Sequence, residues 1–146
     1  MTLPRSDTVI NDMQYQMIKP SVRLSMPICT KTAVLLGGVL GGLSSLTDAG
    51  ADGLNKFSGA IASVDPIKLD ALFMEAISAG HLHAQSKPIS DQIAFEQHFT
   101  DRRGDVYQVC VWCLWEIVKD FFPQLGAFAQ KAKKAAAESL SRTDGQ

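Results

Sequence analysis

The sequence predicts a mainly α fold: a small helical bundle around one long apolar helix, with a short β-hairpin in front of it. Three observations predict this. The stretch from Val106 to Phe122, VYQVCVWCLWEIVKDFF, is apolar on nearly every helical face, as a helix with neighbours on several sides must be. Elsewhere the apolar residues mostly recur at helical spacing, between recognisable start and stop signals. With 146 residues, 46% of them apolar and 20% charged, the chain can bury its own core as one soluble domain.

Residues 1–10 are expected to be a flexible N-terminus. TVI and MQYQMI are two short extended runs about an Asn11-Asp12 turn that lacks glycine. Tyr15 and Met17 alternate with Gln14 and Gln16, which leaves one face polar. Pro20 keeps Lys19 out of a helix, and Ser21 can cap the next one. Pro27 is expected to kink the chain or to mark the true helix start. Beyond Ile28, the apolar positions from Ala33 to Leu46 favour helix. The paired glycines there oppose it by about 1 kcal/mol each relative to alanine.

Asp48 to Gly53 is expected as a loop. Leu54, Phe57, Ile61 and Val64 then make a short amphipathic helix. Asp65-Pro66 restarts the chain as cap and first helical residue, and Gly80 can end that helix. HLHAQSKPIS is a connection, partly extended. Ser90-Asp91 caps a short helix carrying Phe95 and Phe99. Asp105 to Phe122 would span about 27 Å as a helix before Pro123 stops it. The domain reading is a helical domain over 11–125, followed by an alanine- and lysine-rich C-terminal helix and tail over 126–146.

Several function classes are disfavoured. A formal net charge of −1 argues against a nucleic-acid binder, and the basic C-terminal face lacks interleaved aromatics. The uncharged run Thr32–Thr47 falls short of the about 20 residues a spanning helix needs, so a membrane-active protein is the weaker alternative. No G-x-S-x-G elbow, phosphate loop or converging polar cluster marks an enzyme. Three cysteines, an odd number, make no disulfide framework.

Cys110 and Cys113 form a C-x-x-C pair, but Cys110 sits more than a turn inside its helix, between two valines. A redox thiolate needs a helix N-terminus instead. With His81 and His83 the pair would supply four ligands for a closed zinc site, the further alternative. Nothing in the sequence forces the two pairs together, and free cysteine is a common core residue. No metal and no cofactor is therefore expected.

The order of features resembles a known family. MQYQMIKPS is followed by the glycine-containing apolar helix AVLLGGVLGGLSSL, then the F-x-x-H-F element Phe95–Phe99 and the terminal WEIVKDFF. This resembles the tail assembly chaperones of long-tailed bacteriophages over residues 11 to 125. Asp120 stands where that family commonly has asparagine before its final phenylalanines. The resemblance implies a non-enzymatic factor of the host bacterial cytoplasm, absent from the mature virion. It would hold the tape measure protein and assist polymerisation of the tail tube protein around it. It also implies a longer frameshifted product, for which Ala132-Lys133-Lys134 is a candidate slip site. A holder needs exposed apolar surface, and the long helix has more apolar faces than a small bundle easily covers. The same surplus would suit a homo-oligomer. The candidates for partner contacts are Phe99, Trp115, Phe121 and Phe122, large apolar groups near charged helix boundaries; the competing reading makes all four core, because aromatics are usually packed.

Overall fold

A computed structural model of the chain describes residues 4–43 and 51–121. The expected C-terminal helix and tail, Pro123, Phe122 and the candidate slip site lie outside the described residues. The architecture is mainly α with a small antiparallel sheet. In order it runs β1 (Arg5–Ile10), β2 (Met13–Ile18), α1 (Val22–Leu43), α2 (Ala51–Ile61), α3 (Pro66–Gly80), β3 (His83–Ala84), β4 (Lys87–Pro88), α4 (Gln92–Thr100) and α5 (Val106–Val118). Single 3-10 turns, Arg103–Asp105 and Lys119–Phe121, flank α5.

The front hairpin forms, and it begins earlier than expected. The strand includes Thr8–Ile10, the extended run read in the sequence, and also residues 5–7 of the segment read as flexible, paired antiparallel with β2 from Arg5↔Ile18 to Ile10↔Met13. The two-residue turn places Asn11 and Asp12 at φ 48° and 68°, the doubly left-handed turn that matches strand twist. Asn and Asp tolerate this region better than other non-glycine residues, which explains the missing glycine. Tyr15 and Met17 point inward and are buried, as their alternation requires. The connection HLHAQSKPIS folds into a second tight hairpin, β3–β4, with Gln85 and Ser86 at φ 48° and 70°. It docks on β2, so the sheet order is β1-β2-β3-β4.

The helix starts follow local chemistry, with corrections. Asp65 accepts from the Ile67 amide with Pro66 in the first turn, and Asp91 accepts from Ala94. α1 begins at Val22, and Pro27 lies inside it rather than at its start. The carbonyl freed by the missing N–H belongs to Arg23, and both Arg23 and Pro27 are exposed residues on the solvent side of the helix. α2 begins at Ala51, so 51–53, read as loop, are helical. At the end of α3 the left-handed cap residue is His81 (φ 48°), not Gly80. Gly80 instead allows close approach: a Cβ there would lie 2.9 Å from Met17 Cε.

The long apolar helix is shorter than expected. α5 covers 13 residues rather than the span from Asp105 to Phe122, and α1, at 22 residues, is the longest helix described. Beyond Val118 the charged pair Lys119-Asp120 bonds to Glu116 (2.7 Å) and Lys19 (2.8 Å), and the last turn tightens to 3-10 geometry. Nine of the 13 residues of α5 are nevertheless buried, against α1, α2, α3 and the hairpin. The hairpin runs alongside it. Asn11 Nδ2 donates to the Asp105 carboxylate at one end, while Ser6 Oγ donates to Glu116 Oε2 (3.1 Å) and Lys19 pairs with Asp120 at the other. Six strand residues and thirteen helical residues both measure about 20 Å, so the lengths match.

Two substitutions in the first turn test this account. Asn11→Ala removes a residue that tolerates positive φ and a donor to the buried Asp105 carboxylate. It should cost about 1–3 kcal/mol in urea denaturation. Asp12→Gly should instead stabilise by up to about 1 kcal/mol. Equal and small effects from both would mean that the turn does not anchor the hairpin.

Candidate functional site

The thiols are packing groups. Cys29, Cys110 and Cys113 are free and at most 3% exposed. Burial pushes Cys29 up to about 11, with Asp120 adding to it, and Cys110 up to about 12, with Asp70 adding. Cys113 is raised well above its ordinary value by burial first, then by Cys110 and Glu116. Such thiols are poor nucleophiles and poor metal ligands at neutral pH. His81 is exposed and His83 bonds its Nδ1 to the His81 carbonyl (2.6 Å). Among the described residues no group of three or more His, Cys, Asp or Glu side chains could hold a metal ion.

One polar cluster reaches inside. The Tyr15 hydroxyl meets His98 Nε2 at 3.0 Å, Arg102 Nη1 lies 3.5 Å from Asp105, and Asn11 bonds to both Arg102 and Asp105. Burial raises the Tyr15 pKa, with Asp105 adding and Arg102 opposing. It lowers that of His98, with Arg102 adding and Asp105 opposing. Each group is bonded to another member, and Tyr15 is fully buried with its ring stacked on Phe99 at 6.2 Å. The cluster ties the hairpin to α4 and to the start of α5.

The three described aromatic candidates, Phe99, Trp115 and Phe121, lie at separate places in the fold. Phe99 is buried beneath the hairpin, 4.7 Å from Phe95 between ring centres. Trp115 is buried against Phe57 at 5.1 Å. Both are core side chains that present no surface to a partner in this conformation, because α5 and α4 turn their large faces inward. Phe121 is half-buried against the core at the end of α5, and Phe122 lies outside the described residues.

Most of the exposed apolar groups are on α1 and α3, while Val9 on β1 and Ile93 on α4 are exposed singly. Val22 (65% exposed), Met26 (50%) and Val34 (68%) lie with Thr30 at i, i+4 spacing, forming one solvent-facing ridge of α1. Beside it a groove of about 380 Å³ is lined by the apolar Val34, Leu35, Ala71 and Leu72 and by the charged Lys31, Lys68 and Glu75. Ile67, 82% exposed, continues the α3 side one turn before Ala71. Sequence reading assigned Val34 and Ile67 to helices without placing them outside. The available signal was helical phase: Val34 lies on the side of Arg23 and Thr30, opposite Ile28 and Thr32. Among the described residues no helix is long and apolar enough to cross a membrane, and the end of the Thr32–Thr47 run lies outside them.

The raised thiol pKa values carry a sign for stability. A thiol that ionises near 9 when unfolded and only near 11 or 12 when folded favours the native state below the unfolded value. That contribution is lost as pH rises through the folded values. The urea midpoint should therefore fall as pH is raised from about 9 toward 11–12. A Cys29→Ala, Cys110→Ala, Cys113→Ala variant should show a flatter dependence, and an unchanged slope would remove the thiols as its cause.

No curated protein and no solved structure matches the chain. A family profile described as phage tail assembly chaperone protein, TAC, does match, over residues 11–129. That span contains β2, the β3–β4 hairpin, every described helix and the exposed ridge and groove, while β1 lies before it. The chain belongs to the phage tail assembly chaperone family.

Proposed function

We propose that the protein is a non-enzymatic holder that binds the tape measure protein and assists assembly of the tail tube around it. It would act in the host cytoplasm and leave before the virion is complete. The observation that carries this reading is the family match over 11–129 in a chain whose apolar surplus faces outward on α1 and α3. A long helical rod with apolar faces aggregates unless covered during assembly. Covering it requires a partner with exposed apolar surface and moderate affinity, and no chemistry. The buried high-pKa thiols fit that role, as does a polar cluster bonded within itself. In the same reading 11–125 is the binding body and 126–146 a separate tail. Phe121, half-exposed beside the charged Lys119-Asp120 pair, is a secondary contact.

Co-expression tests the proposal. The tape measure protein of the same phage should move from the pellet to the soluble fraction when this chain is present, and should co-purify with it. An unchanged distribution, with this chain itself folded and abundant, would remove the proposal.

A further inference from the structure

Resting on that reading, we infer that the α1 ridge and the α1/α3 groove form the docking face, and that its occupant is an amphipathic helix with carboxylates beside its apolar stripe. Shape comes first. The face combines a convex i, i+4 ridge, Val22, Met26 and Val34, with a concave apolar channel beside it. Ridge and groove are the two elements a helix engages when its own side-chain rows interdigitate.

Charge identifies the occupant. α1 contains no acidic residue, and its two charged side chains are Arg23 and Lys31. Lys31 is bonded to Glu75 at 2.7 Å, which neutralises the only acid lining the groove. Arg23 and Lys68 are both exposed and have no ion-pair partner among the described residues. The face is therefore apolar and cationic. A second copy laid on the same face would set cation against cation. A bilayer surface is flat and takes polybasic clusters, whereas this face is grooved and has two free cations. A helix bearing Glu or Asp at the edges of an apolar stripe satisfies both features, since rim charges of opposite sign select and orient a partner.

Two synthetic helical peptides about three heptads long test this. They share one leucine stripe at i, i+4 spacing and differ only in flanking Glu or flanking Lys. By fluorescence anisotropy at low salt, the Glu peptide should bind about tenfold tighter than the Lys peptide, and the gap should narrow at high salt. Met26→Glu with Val34→Glu should abolish binding without lowering the thermal midpoint, because both side chains are already in water. Arg23→Glu with Lys68→Glu should reverse the preference toward the Lys peptide.

Equal binding of the two peptides overturns the inference. So does retained binding by the Met26/Val34 variant. Self-association of the wild-type chain that this variant abolishes, or co-sedimentation with vesicles containing phosphatidylserine that it abolishes, likewise overturns it. The peptide result does not depend on the tape measure protein. Failed co-expression with discriminating peptides removes the proposed function and leaves the docking face. Successful co-expression with indifferent peptides does the reverse.

Discussion

Covering α5 on every side is the constraint on which the rest of the structure depends. Its core positions leave no polar stripe that could face water: Val109 through Trp115 is an uninterrupted buried run. A helix of this kind is stable only as the interior of something else. Three helices supply part of the cover, and the front hairpin supplies the remainder, matched in length and tied at both ends by polar bonds. Those bonds lie at the perimeter of the core. The exposed ones set register rather than stability, since pairs such as Lys19–Asp120 contribute about 0–1 kcal/mol, whereas the bond to the buried Asp105 carboxylate does both. Stability comes from the tryptophans, cysteines and branched aliphatics packed between the layers.

This arrangement has a consequence for function. The most apolar element of the chain is used to build the fold and leaves little to offer a partner. What is offered comes from α1 and α3, whose buried faces serve α5 and whose outer faces keep valine, methionine and isoleucine in water. An apolar ridge, broken by Thr30, beside an apolar groove is the kind of surface that the proposed docking face needs. The interior shows the complementary pattern. Among the described residues no buried side-chain polar atom lacks a hydrogen bond. The buried hydroxyl of Thr32 bonds to the carbonyl of its own preceding turn. The core is settled, and the exposed apolar groups are confined to surface positions where a partner can reach them.

Elements with a strong local cause were legible in the sequence. Asp65-Pro66 and Asp91 cap helices through a side chain and a fixed φ that need no tertiary help. Tyr15 and Met17 turn inward because alternation is a backbone property of strands. The packing role of Cys110 and Cys113 followed from their apolar neighbours and their depth within the helix. Three features were only partly legible because distant residues decide them. Residues 5–10 are strand because β2 and Asp105 hold them. Pro27 is tolerated within α1 because it and Arg23, whose carbonyl it frees, lie on the solvent side of the helix. The hairpin at Gln85-Ser86 has ordinary turn residues and forms against a sheet edge that β2 provides.

By itself the sequence determined the mainly α class, the aspartate-capped starts of α3 and α4, the central burial of the cysteine- and tryptophan-bearing segment and the family of the chain. Each of these is set by local spacing, capping chemistry or the order of motifs. Only the tertiary structure decided which apolar residues stay outside. Phe99 and Trp115 resemble surface anchors in sequence, and Val34 and Ile67 resemble core residues, yet their positions are the reverse. Hydrophobicity states that a side chain gains by leaving water. Which side chains can leave depends on how many faces the neighbouring elements are able to cover.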